Sequence, residues 1–113
     1  LPRPHDLRLY LDRRIAIGLG DAAFGLKEFP EAETQYRQAV AALRAVAENS
    51  TYDLGRLVAT EEQLAITLRA LNRPDDAAAI AHTAKADRER LEARTAEDEA
   101  NARARETPLR RRF

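Results

Sequence analysis

Apolar residues recur along this chain at spacings of three and four, the period of a helix with one buried face, and four such stretches can be marked off. In the first, Leu7, Leu11, Ile15, Leu19, Ala22, Ala23 and Leu26 fall on one stripe, predicting a helix over about 7–27. Pro2 and Pro4 hold residues 1–6 as an extended entry, and Asp6 can cap the first turn. A second helix, over about 30–48, opens on Pro30, which is tolerated only in a first turn. Glu31 and Glu33 follow where the partial positive charge of a helix start favours carboxylates. Its expected buried face is Phe29, Ala32, Tyr36, Ala39, Val40, Leu43 and Val46, and the segment ENSTYD supplies stop, turn and cap residues.

The third helix starts near Tyr52 or Asp53 and carries Leu54, Leu57, Val58, Leu64, Ala65, Leu68 and Leu71. Asn72 suits a left-handed cap, and Pro74, followed by Asp75 and Asp76, opens a fourth helix burying Ala77, Ile80, Ala81, Ala84 and Leu91. Beyond Leu91 the segment EARTAEDEANARARE has high helix propensity but no large apolar residue, which leaves an exposed extension or a frayed end. Pro108 is expected to end it. The chain thus divides into an entry (1–6), a helical domain (7–91) and a charged extension with an arginine-rich tail (92–113).

The two hairpins repeat. Residues 19–40 align without a gap on residues 64–85, at an offset of 45, so that Leu19 matches Leu64, Gly20 matches Ala65, Ala32 matches Ala77 and Ala39 matches Ala84. Leu26 matches Leu71, and Pro30 lies one place from Pro74. Leu19, Gly20, Ala32, Tyr36 and Ala39 stand at the places where the tetratricopeptide repeat family has a leucine, a small residue, an alanine, an aromatic and an alanine, and over residues 13–91 the chain resembles that family. Small residues at Gly20, Ala32 and Ala39 let antiparallel helices approach closely, while Leu19, Leu26 and Tyr36 are expected to fill the space around the contact. The chain departs from the family at Ala16 and Glu61, where a tryptophan is usual, and at Ala81, where the aromatic is lost. Its offset exceeds the family's roughly 34 residues. The expected fold class is all-α: antiparallel hairpins stacked as a short solenoid of about four helices, the last one long.

The resemblance implies a protein or peptide partner bound along the first helix of each pair. Here that face is Arg14, Ile17, Asp21 and Phe24 with Glu62, Ile66 and Arg69. Asp21 and Glu62 stand where the version that clamps a C-terminal carboxylate needs donors, which argues against that version. The same apolar residues would serve equally to stack on further repeats or on a second copy, since about three repeats are usually needed for stability. The implied function is a non-catalytic interaction or assembly module of a larger bacterial protein. The alternative is a regulatory or oligomerisation segment of a signalling or transcriptional protein, with its groove filled intramolecularly.

Composition narrows this further. Hydrophobic residues at 44% and charged residues at 34%, with four glycines, suit one small helical domain. Nineteen basic residues balance nineteen acidic ones, leaving no net field to draw nucleic acid or an anionic membrane. No apolar run approaches the roughly 20 residues of a membrane span. The absence of cysteine removes disulfides and thiolate metal sites and fits a cytoplasmic protein. Seventeen of the nineteen basic residues are arginine, as in proteins from GC-rich bacteria.

Catalytic sets are poor. His5 lies in the entry, His82 has no acid, serine or threonine placed by sequence to partner it, and no second histidine stands at metal-ligand spacing. Glu61 and Glu62 are adjacent, so their side chains diverge by about 100° on a helix. Asp75 and Asp76 are explained as helix N-terminal charges. Neither catalytic residues, nor a metal, nor a cofactor is expected. Arg103, Arg105 and Arg110–Arg112, beside Glu97, Asp98, Glu99 and Glu106, read as a solvated tail.

Overall fold

The computed structural model describes the backbone of residues 4–112 and the side chains of residues 10–106; the expectations for Pro2, for the side chains of His5, Leu7 and Arg110–Arg112, and for Phe113 lie outside the described residues. Four α-helices follow one another: α1 (Pro4–Gly25), α2 (Phe29–Val46), α3 (Thr51–Ala70) and α4 (Pro74–Arg112). A 3-10 turn, Ala47–Asn49, joins α2 to α3. Among the described residues there is no strand, so the fold class is all-α.

Each helix packs mainly on its neighbour in sequence, α1 on α2, α2 on α3 and α3 on α4, giving two hairpins that share the α2–α3 interface. One hydrophobic cluster joins Ala23 and the aligned pair Ala32 and Ala77 with Tyr36, Leu64 and Leu68; a second joins Leu43, Ala47, Leu54 and Leu57. Val40 touches both.

The hairpin turns are copies of each other. Lys27 and Asn72 both take the left-handed conformation, with φ of 61° and 58°. In each turn the residue after it donates its N–H to a carbonyl five residues back, Glu28 to Ala23 at 2.8 Å and Arg73 to Leu68 at 3.0 Å. This closes the carbonyl end of the helix and reverses the chain. Proline then restarts it at the first or second helical position in both hairpins. At the start of α3, Ser50 Oγ accepts from the Asp53 N–H at 3.3 Å.

Three expectations need correction. The large residues of α1 do not face the core: Leu11, Ile15, Leu19 and Leu26 are 46, 57, 50 and 70% exposed. The buried face is instead Ala16, Gly20 and Ala23, flanked by half-buried Ile17 and Phe24. Close approach selects the small face, because a leucine row cannot fit between helices that nearly touch. At Gly20 an added Cβ would stand 2.7 Å from the Tyr36 ring, so α2 presses directly on the α1 backbone.

The second correction is to α1's start, at Pro4 rather than Leu7, where a first-position proline loses no hydrogen bond. The third is Pro108, which does not end α4. Residues 95–106 are exposed alanine, arginine and other helix formers, so the carbonyl that proline leaves unpaired at Ala104 can be solvated. The helix is also tied down past Leu91: Arg94 donates to the Ala47 carbonyl at 2.7 Å and Thr51 to Asp98 at 2.9 Å. Its 39 residues, at 1.5 Å each about 58 Å, set the long dimension of a 60 × 34 × 22 Å molecule.

Candidate functional site

The residues expected to form one recognition face lie on two surfaces. Ile17 and Asp21 of α1 meet Arg56, Ala59, Thr60 and Gln63 of α3 around a polar cleft of about 350 Å³ with Tyr36 at its base. The Tyr36 hydroxyl donates to Asp21 Oδ1 at 2.5 Å, and burial, that hydrogen bond and the aspartate charge all push its ionisation above the ordinary tyrosine range. Arg14 stands apart, its guanidinium 5.7 Å from the Tyr10 ring centre and bonded to the hydroxyl at 3.2 Å. Phe24 is not presented for binding: it packs on the cluster around Ala23 and meets Phe29 edge-to-face at 5.5 Å.

Glu62, Ile66 and Arg69 turn the other way, into a groove of about 360 Å³ between α3 and α4. Ala65, Ile66, Ala81 and Ala84 make its apolar floor, and Glu62, Arg69, Lys85 and Arg88 its charged rim. Ile66, 44% exposed, is the large apolar group offered there. Three cations face one carboxylate, which is itself paired with Arg88. Of the residues named for hairpin packing, Gly20, Ala32, Tyr36, Ala39, Leu64, Ala65, Ala77 and Ala84 are buried, whereas Leu19 is exposed.

An ionic cluster of two buried carboxylates and two half-exposed arginines joins three helices and escaped sequence reasoning. Arg44 of α2 donates to Glu61 of α3 at 2.9 Å and to Asp87 of α4 at 3.0 Å, and Arg90 adds a bond to Asp87 at 3.0 Å. Glu61 is 1% exposed and Asp87 3%. Burial, then the hydrogen bond to Asp87 and its charge, push the Glu61 carboxyl up to about 8 against the pull of Arg44. Burial would raise Asp87 too, but bonds from Glu61 and Arg44 and the charges of Arg44 and Arg90 hold it below its ordinary value. Glu61 Oε1 meets no protein donor, so nothing at that oxygen offsets the cost of burying the charged carboxylate. The partners are 17 and 43 residues apart, and each reads as an exposed helical charge in isolation.

His82 is exposed, as are Asp75 and Asp76, and Asp76 pairs with Arg73 at 2.8 Å. Arg73 also reaches Glu33 on α2, bracing the second turn against the first hairpin. Among the described residues no helix is long and apolar enough to cross a membrane. No protein-family model matches the chain, and neither does any curated protein or solved structure.

Proposed function

We propose that this chain is a non-catalytic protein-interaction module of tetratricopeptide type that takes an amphipathic helix of a partner into the α3–α4 groove. The observation that carries the reading is the groove itself, an apolar trough between antiparallel helices with a rim of Arg69, Lys85 and Arg88 against Glu62. Such a trough fits a helix that offers apolar side chains at spacings of three and four, flanked by a carboxylate. The repeated turns at Lys27 and Asn72 and the aligned alanines support the family part of the proposal. The polar cleft at Asp21 and Tyr36 is the weaker candidate, since its hydroxyl and carboxylate already satisfy each other.

The test is selection of helical peptides from a displayed library against the protein. Binders should favour acidic amphipathic sequences and weaken at least about tenfold on Ile66→Glu or Lys85→Glu, with the helical circular dichroism unchanged. Binders indifferent to both substitutions would sink the groove as the site.

A further inference from the structure

The groove between α3 and α4 has a counterpart inside the same molecule, and that counterpart is filled. Forty-five residues before its floor stand Gly20, Asp21, Tyr36 and Ala39, and the same distance before its rim stand Ile17, Phe24, Val40 and Leu43. Those residues form the trough between α1 and α2, and α3 lies in it: Leu57 packs in the cluster with Leu43 and Ile17, and Leu64 in the cluster with Tyr36, Phe24 and Val40. The molecule therefore displays how a helix seats in a trough of this register.

It also carries the helix that would fill the second one. The residues equivalent to Leu57, Thr60, Leu64 and Leu71 are Asp12, Ile15 and Leu19 of α1 and Leu26 just past its end. Leu57, Thr60 and Leu64 are buried, whereas Ile15, Leu19 and Leu26 face solvent as large apolar side chains. A helix that buries small residues on one face and carries large apolar side chains on another has a second face fit to be covered.

We infer that a second copy of this chain seats the outer face of its α1 in the α3–α4 groove, head to tail, in the register that α3 adopts on α1 and α2. This rests on the groove being a helix-binding site. In that register Leu19 lies over Ala81, where the second hairpin lacks the Tyr36 ring and leaves room. Thr60 shares the cleft with Asp21 and Tyr36, so Ile15 falls on Ile66 and Ala81. Leu57 and Leu43 pack together, so Asp12 falls on Arg88, beside Lys85, and a carboxylate meets the basic rim. The two faces lie on different hairpins, so the contact is heterologous: each copy uses one face and leaves the other open.

The chain has no cysteine, which makes single-cysteine variants clean probes. Ile15→Cys and Ile66→Cys proteins, treated with a short bis-maleimide separately and as a mixture, should give a cross-linked dimer only when mixed. Leu19→Glu placed in the Ile15→Cys protein should lower that yield at least about tenfold. Because Leu19 is exposed in the single chain, the substitution leaves the fold intact by circular dichroism. Efficient cross-linking of Ile15→Cys alone would mean a symmetric pairing of α1 with α1 and would overturn the inference. So would a mixed sample at about 1 mM with no dimer above the level of a denatured control. Peptide binding by the Leu19→Glu protein, in which the groove is free of a second copy, separately reads whether the groove takes a helix at all.

Discussion

Gly20 and Gly18 sit two residues apart on α1 and do opposite things. A Cβ at Gly20 would meet the Tyr36 ring at 2.7 and 2.8 Å, inside van der Waals contact, whereas one at Gly18 would meet nothing within 4 Å. Tyr36 is 1% exposed and held by Asp21, so its ring has little freedom to retreat. Gly20→Ala should therefore cost about 1–3 kcal/mol through overpacking, although alanine is the better helix former. Gly18→Ala should add about 0.5–1 kcal/mol, the ordinary helix-propensity gain. Urea unfolding of the two variants side by side checks this, and equal effects would refute the close contact. The small-residue requirement was legible at Gly20, because the aligned Ala65 is also small; the wedge by Tyr36 was not, since a sequence shows size and not distance.

Among the elements, the hairpins were read well and the faces of α1 were not. Proline, acidic first turns and the aligned residues mark turns through local chemistry, and local chemistry is what a sequence carries. In α1, Leu11, Ile15 and Leu19 compete with Ala16, Gly20 and Ala23, so periodicity alone offers two buried stripes. Bulk pointed to the leucines, and the close approach of α2 chose the small residues. The left-handed position was foreseen at Asn72 and missed at Lys27, because lysine is not a residue that favours it. Lys27→Gly should relieve that backbone cost and raise stability by roughly 0.5–1 kcal/mol after glycine's own entropy is counted. A higher thermal midpoint is the readout; a lower one would show that the lysine side chain contributes more than its backbone costs.

The whole molecule is tied across α2, α3 and α4 by Arg44, Glu61 and Asp87, a link invisible in the sequence because it joins residues from three helices. Its titration sets how stability varies with pH. Glu61 is raised from an ordinary 4.5 to about 8, so its contribution is complete below 4.5 and is lost as pH climbs to about 8. Asp87 is depressed, so its contribution is present above its ordinary 3.8 and is lost on acidification below that. Between pH 5 and pH 8, unfolding free energy should therefore fall as pH rises, on the order of 1 kcal/mol per unit at most. Glu61→Gln, which can donate to Asp87 without a titratable proton, should flatten that slope; urea midpoints across the range decide it. A slope in the wild type that survives the substitution would place its source elsewhere. In the language of mass action, the hydrogen ion is then a ligand of the folded chain: folding near neutral pH takes up a fraction of one from solution. Unfolding should return it to the buffer, so the calorimetric enthalpy of melting will depend on the buffer's own heat of ionisation.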